Sequence, residues 1–230
     1  MNKEIDFMPD VFFYGAQQVN FREVHTTGIA HGRLYRCSHP VVGNRQDPDI
    51  AQLACSAKIA SIINLCDKEE KLGGIAAMAP WYRKIYNKNN AIALDMLFDF
   101  RQGEFTEKLK RGLQFMVLSP APFFVHCYAG FDRTGIFCAI LEALMGATKK
   151  EIGDEYSFSY NSDCDSEFYE YERKDHGHII LEQLENLFEK TFTDDDLQKT
   201  TQQNLIEKVG LTPNEIDAIE QKLSDTCGLS

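Results

Sequence analysis

Residues 126–135 read His-Cys-Tyr-Ala-Gly-Phe-Asp-Arg-Thr-Gly, a cysteine followed after five residues by an arginine within one glycine-containing stretch. That spacing combines a sulfur nucleophile with an anion cradle. Attack on a phosphate ester through a covalent intermediate needs a nucleophile ionised near neutral pH, and an ordinary thiol, with a pKa of about 8.5, is mostly protonated there. Cys127 stands just ahead of a predicted helix, where unpaired N–H groups and the helix dipole favour a thiolate. The backbone amides of Tyr128, Ala129, Gly130, Phe131, Asp132 and Arg133 can curl round three phosphoryl oxygens, and Gly130 can take dihedrals that other residues avoid. Arg133 closes the cradle with its planar fork, binding two oxygens and holding charge in the transition state. His126 is placed to orient the loop from behind, and Thr134 to donate a hydroxyl hydrogen bond to the sulfur. A lone Cys-x5-Arg would arise by chance in a chain with seven cysteines. The joint pattern of His, Cys, Gly, Arg, Thr and Gly at fixed offsets is far more specific.

Expelling the leaving oxygen requires a proton from an acid on a separate element. Asp95, in Ala-Ile-Ala-Leu-Asp at the end of a predicted strand, is the first choice. Asp99 on the same loop and Asp132 beside Arg133 are the alternatives. Each also has a plain structural reading, as a solvated turn residue or a carboxylate bracing the loop.

These side chains need a scaffold, and the hydrophobic pattern supplies one. Short strands are predicted over residues 11–14, 32–36, 59–65, 90–94 and 123–125. Helices are predicted over 48–57, 105–117, 134–145 and 179–188, with Gly73-Gly74 interrupting a charged segment and residues 81–85 forming a short helix or an irregular turn. Thr212-Pro213-Asn214-Glu215 reads as a helix start, with threonine as cap and glutamate three residues on. The cysteine loop falls between a strand and a helix, where a phosphate loop belongs. The expected fold is α/β, a central, mostly parallel sheet of about four to five strands flanked by helices, with a helical C-terminal extension. One domain spans 1–230, its helical part from 150–230 packed on the core.

Composition narrows the function. The chain has 230 residues and a formal net charge of −11, with a pI near 5.0, so its surface as a whole repels nucleic acid and anionic membrane. Seven cysteines at irregular spacing argue against a disulfide framework and for a reducing compartment. The six histidines form no HExxH or Cys/His zinc spacing, so neither a metal nor another cofactor is expected. No signal-peptide pattern or membrane span is visible. The cytoplasm is the expected location, with export by a non-classical route into another cell left open, and a monomer is the expected state.

The motif and its surroundings resemble the cysteine-dependent protein tyrosine phosphatases, closest to a bacterial branch related to atypical dual-specificity and phosphoinositide phosphatases. In that branch the loop reads HCxAGKDRTG, matched here by His126 through Gly135. Val19-Asn20-Phe21-Arg22 resembles the branch's NFRD segment, residues 32–38 its GRLYRS segment, and Ile63-Asn64-Leu65-Cys66 a strand ending in DLR. Residues 144–147, Asp154-Glu155-Tyr156 with Ser159, and residues 209–216 also have a family look. The resemblance implies the phosphatase fold, Cys127 as nucleophile, Arg133 as phosphate clamp and 128–132 as the anion nest. It keeps both Asp95 and Asp132 open as the acid, since relatives are thought to use either position.

Two departures stand out. Phe131 replaces a lysine that adds charge over polyanionic substrates in lipid and inositol-phosphate phosphatases, and Cys66 replaces an arginine. An aromatic at 131 favours a phenyl ring, so the leading expectation is hydrolysis of phosphotyrosine in protein, or of a small aryl phosphate, with dual specificity within reach. One alternative is a phosphoinositide or inositol-phosphate phosphatase, for which Arg22, Arg33, Arg36, Lys68 and Lys71 are candidate rim cations. Another is a non-catalytic pseudophosphatase that binds phosphoprotein through an intact loop.

Overall fold

The computed structural model describes residues 20–43, 45–97, 103–161 and 176–224. In chain order the elements are β1 (Arg22–Glu23), β2 (Leu34–Cys37), β3 (Val41–Val42), β4 (Arg45–Gln46), α1 (Pro48–Ser56), β5 (Ser61–Asn64), α2 (Leu72–Met78), α3 (Pro80–Tyr86), β6 (Ala91–Ala93), α4 (Gly103–Leu118), β7 (Phe123–His126), α5 (Asp132–Leu144), α6 (Lys149–Asn161), α7 (Gly177–Phe188), α8 (Asp194–Glu207) and α9 (Pro213–Ser224). Five strands form one sheet in the order β1-β2-β7-β5-β6, while β3 and β4 make a separate antiparallel pair. Strands β2, β7, β5 and β6 run parallel, and only β1 runs against its neighbour. This is the α/β architecture expected from the sequence.

Strand β7 sits in the middle, and all four of its residues are buried. A parallel strand covered on both faces must be apolar at every position, which is why Phe123-Phe124-Val125 reads as an unbroken run. Alternate side chains still go to opposite faces. Ile63, Phe123 and Val125 join the core built with α4, α5, α7, α8 and α9, whereas Ile62 and Phe124 join the core built with α1, α2 and α3. Helix α5 is the central pillar, with every residue from Thr134 to Leu144 buried. Its apolar character all round follows from having the sheet on one side and further helices on the others.

Local signals account for several boundaries. Asp47 caps α1 by accepting from the amides of Asp49 (2.9 Å) and Ile50 (3.0 Å), with Pro48 in the first turn. Glu215 Oε2 accepts from the Thr212 amide at 2.7 Å while Thr212 Oγ1 accepts from the Glu215 amide at 3.3 Å, the reciprocal cap read from the sequence.

One expectation needs correction. Gly73-Gly74 does not interrupt a segment but lies inside α2, where Leu72, Ile75 and Ala76 are buried and outweigh the poor helix propensity of glycine. Residues 81–85 take the first of the two forms expected, a short helix, within α3 and started by Pro80. The strand expected over 11–14 lies outside the described residues, as does Asp99.

The C-terminal extension is tied to the core by polar contacts as well as apolar ones. Lys222 of α9 donates from Nζ to the carbonyls of Met116 (2.9 Å), Val117 (2.7 Å) and Ser119 (2.6 Å), closing the last turn of α4 with a cation where the helix dipole is negative. Lys222→Met should therefore lower stability by about 1–2 kcal/mol in urea unfolding. An unchanged midpoint would mean that water replaces the ammonium at no cost.

Candidate active site

The loop 127–131 joins β7 to α5 at the carboxyl end of the parallel sheet, where α/β folds place ligands. Its shape is set by what its carbonyls bond to. The Tyr128 carbonyl accepts from the His39 amide at 3.0 Å. The Gly130 carbonyl accepts from Arg36 Nη2 at 2.9 Å and from Asn20 Nδ2 at 3.2 Å. The Phe131 carbonyl accepts from Arg36 Nη2 at 3.2 Å. With the oxygens held by side chains behind the loop, its amides are left as donors. Among the described residues no acceptor takes the N–H of Tyr128, Ala129 or Phe131, and the Gly130 amide points at Cys127 Sγ, 3.3 Å away. Amides left free in this way have the arrangement of an anion nest.

Gly130 is required here for two reasons. Its φ is +78°, and a Cβ at this position would lie 2.6 Å from the Cys37 carbonyl. The backbone of β2 therefore touches the loop directly.

Arg36 has no exposed surface, so its charge has to be balanced inside the protein. Glu155 of α6 does this, with Oε2 at 2.5 Å from Arg36 Nη1 and Oε1 at 2.7 Å from Arg22 Nε. Arg22 also donates to Ser159 Oγ (2.7 Å) and to the side-chain oxygen of Asn20. Burial works most strongly against the Arg36 charge, but the surrounding groups, Glu155 foremost, together hold the guanidinium above its ordinary pKa. Burial likewise opposes the Glu155 carboxylate, yet Arg36 and Arg22 bring its pKa below the usual glutamate value. Nearby Glu142, also buried, is pushed well above its usual value by burial and then by the charge of Glu155, so it stays protonated. Arg22 and Arg36 thus brace the loop from within and do not line a basic rim. Arg33 is also committed, donating to the Lys222 carbonyl at 2.6 Å.

Each predicted site residue has a definite place. Cys127 is buried at the base of the loop, with Tyr128 and Ala129 exposed above it. Arg133, half-buried in the first turn of α5, donates from Nη1 to the Met96 carbonyl at 3.5 Å, which brings the loop that follows β6 up to the phosphate cradle. Asp95 precedes Met96 with a left-handed φ of +46°, fixed by its amide on the Asp67 carbonyl (2.9 Å) and by the Met96 amide on the Leu65 carbonyl (2.7 Å). Lys108 Nζ donates to its carbonyl. Its backbone is anchored while its side chain is half-buried.

Asp132 differs. Its Oδ1 accepts from the hydroxyls of Tyr156 (3.0 Å) and Tyr160 (3.2 Å) of α6. Burial, together with the charge of Asp132, pushes the Tyr160 hydroxyl up to about 12, so it remains a donor. His126 is fully buried, with Nδ1 3.4 Å from the Cys127 carbonyl, and burial takes its pKa well below the ordinary histidine value. The Thr134 hydroxyl is buried and has no hydrogen-bond partner, so the expected bond to Cys127 is not formed in this structure.

The sequence reading missed the bracing set of Asn20, Arg36 and Glu155 and the tyrosine pair on Asp132. The signal was present, because residues 19–22, 32–38 and 154–159 are the segments that carry the family look, and they converge behind the loop.

Residues 16–225 match the profile of the tyrosine phosphatase family, and the chain belongs to that family. It is a cysteine-dependent phosphatase, a hydrolase of phosphate esters. No curated protein matches the chain. Among solved structures it is similar to the core catalytic domain of the PP-IP phosphatase SIW14 from S. cerevisiae, at 20% identity and a TM-score of 0.41, covering 73% of this chain and 93% of that one. It is also similar to P. aeruginosa TpbA, at 15% identity and a TM-score of 0.42, covering 74% of this chain and 87% of that one. No helix among the described residues is long and apolar enough to cross a membrane.

Glu155→Gln should cost about 3–5 kcal/mol, because it leaves two buried guanidinium groups short of their counter-charge. The wild-type contribution of Glu155 has a defined pH dependence. Its folded pKa lies below the unfolded value, so the stabilisation is fully present above about pH 4.3 and is lost as pH falls through the depressed folded value. Urea unfolding of both forms across that range checks the sign; an acid limb of equal steepness in the variant would remove Glu155 from the account.

Proposed function

We propose that the protein hydrolyses phosphotyrosine in protein, through a cysteinyl-phosphate intermediate formed on Cys127. Dephosphorylation of phosphoserine or phosphothreonine is a secondary activity of the same loop. The proposal includes a single catalytic domain over 1–230. The sulfur of Cys127 attacks phosphorus in line, and the bond to the phenolic oxygen breaks as Asp95 gives that oxygen its proton. Asp95, now a carboxylate, takes a proton from water as the water attacks the phosphocysteine, and inorganic phosphate leaves. The loop amides from Tyr128 to Arg133 and the Arg133 fork hold the equatorial oxygens throughout.

The observation that carries the substrate assignment is the aromatic wall beside the loop. The Phe131 ring lies 5.1 Å from that of Tyr160, which stacks on His176 at 4.2 Å, and Tyr128 is 45% exposed on the loop itself. Aromatic faces suit a phenyl ring, and such contacts contribute about 0.5–1.5 kcal/mol each. The cations that a polyphosphate or phosphoinositide headgroup would need are scarce by comparison. Arg22, Arg33 and Arg36 are engaged elsewhere, and Lys71 is paired with Asp67 at 3.5 Å.

Asp95 is preferred to Asp132 as the acid because two tyrosine hydroxyls already donate to Asp132. Those two bonds commit Oδ1 of Asp132 to α6. Arg133 contacts the carbonyl of the residue that follows Asp95, so closure of the cradle and placement of the acid go together.

Cys127→Ser should bind a phosphotyrosine peptide and turn over nothing. Asp95→Asn should lower kcat about 10²–10⁴-fold for phenyl phosphate and much less for esters with activated leaving groups. Asp132→Asn should change both to the same small extent; if it alone steepens the leaving-group dependence, the acid is Asp132. Phosphate release measured side by side from a phosphotyrosine peptide and from inositol-phosphate headgroups tests the substrate class. Faster release from the headgroups would overturn it. Phe131→Ala should raise KM for the peptide by about 3–10-fold at little cost in kcat.

A further inference from the structure

Three residues that lie far apart in sequence, His39, Cys66 and His126, come together just beyond or at the ends of β2, β5 and β7, with one donor atom from each within 4.8 Å of the other two. Both histidine rings are oriented by backbone. His39 Nδ1 lies 2.7 Å from the Val41 carbonyl and His126 Nδ1 lies 3.4 Å from the Cys127 carbonyl. His39 Nδ1 also accepts from the Val41 amide at 3.1 Å while its Nε2–H donates to Asp67 Oδ2, and placing the ring N–H of His126 on Nδ1 leaves the His126 Nε2 lone pair facing the interior. His126 Nε2 is completely buried and has no hydrogen-bond partner, an unusual state for a polar atom in a core.

A fourth donor stands beside them. Asp67 Oδ2 is 2.7 Å from His39 Nε2 and 3.6 Å from Cys66 Sγ, and Asn64 Nδ2 steadies the same oxygen at 3.0 Å. Two imidazole nitrogens and a thiol close together, with a carboxylate oxygen beside two of them, are donors of the kinds that hold tetrahedral zinc. Backbone carbonyls behind metal-binding histidines commonly fix the tautomer in this way. Metal–ligand bonds of about 2.0–2.3 Å set tetrahedral donors roughly 3.3–3.8 Å apart, so His39, Cys66 and His126 need move only about an ångström, and Asp67 completes the shell by turning its carboxylate toward them.

We propose that His39, Cys66, Asp67 and His126 form a zinc-binding site at the back of the Cys127 loop. Binding forms a zinc–sulfur bond as the Cys66 thiol proton passes to solvent, and the ion replaces the hydrogen between His39 Nε2 and Asp67 Oδ2 as the ring N–H moves to Nδ1, where the Val41 carbonyl accepts it. No electron is transferred. The ion would join the ends of three parallel strands beneath the phosphate loop, since His126 directly precedes Cys127 and Asp67 lies just past β5.

The test uses the full-length chain carrying Cys127→Ser, which removes the one competing sulfur in the loop. Titrated with cobalt(II), it should take up one equivalent and show a thiolate-to-cobalt charge-transfer band with the intense visible absorption of a tetrahedral ion. Adding Cys66→Ser should abolish the charge-transfer band, and His39→Ala should weaken zinc, measured against a chromophoric chelator, by about 10–100-fold. His39→Gln serves if the alanine variant fails to fold, and circular dichroism reports that. Zinc should raise the melting temperature of Cys127→Ser and leave that of the Cys66→Ser double variant unchanged. The proposal is overturned if the charge-transfer band persists without Cys66, if it disappears when only Cys127 is removed, or if the chain binds neither metal.

Discussion

Arg36 is the interaction on which the rest of the site rests. A guanidinium with no exposed surface is tolerated because Glu155 neutralises it and because its Nη2 reaches the carbonyls of Gly130 and Phe131. Those two bonds turn the loop's oxygens toward the protein interior and so free its amides for a ligand. The positive potential needed to attract a phosphate is therefore local, built from amides and Arg133, in a chain whose net charge is −11. A surface of the opposite sign would serve the same chemistry less selectively, since it would draw in any polyanion.

The loop was legible in the sequence because its chemistry is local. Cysteine, glycine and arginine at fixed offsets between an apolar strand and an apolar helix have few other uses, and β7, α5, α1 and α9 announce themselves by burial runs or caps. The bracing network was not legible as a network. Arg36 and Glu155 are 119 residues apart, and nothing in a single sequence pairs a strand arginine with a helix glutamate. Taken alone, Arg22 and Arg36 looked like surface cations. For the same reason the spacing of histidines and cysteines showed no metal pattern, although parallel strands bring residues 39, 66 and 126 to one end of the sheet. Gly73-Gly74 misled in the other direction, because tertiary burial of Leu72 and Ile75 overrides propensity in α2.

Helix α6 links the two halves of the proposed site. Through Glu155 it supports the loop from behind, and through Tyr156 and Tyr160 it holds Asp132 and supplies part of the aromatic wall. Its approach is close, since a Cβ on Gly135 would fall 2.5 Å from the Tyr156 ring. Such a contact leaves no freedom for α6 to slide along α5. The aromatic wall and loop 127–131 are accordingly packed through the same helix pair, while the loop carrying Asp95 belongs to a different part of the chain and meets them through Arg133 and Met96.

The position of Phe131 has an evolutionary consequence. The protein grips this residue by its carbonyl, through Arg36, and leaves its side chain pointing to the half-exposed rim. Selection can thus exchange the side chain at 131 for a cation, an aliphatic or another ring without disturbing the hydrogen bonds that shape the cradle. On the function proposed above, a lineage with this scaffold can change its diet of phosphoesters one codon at a time while its reaction chemistry stays the same.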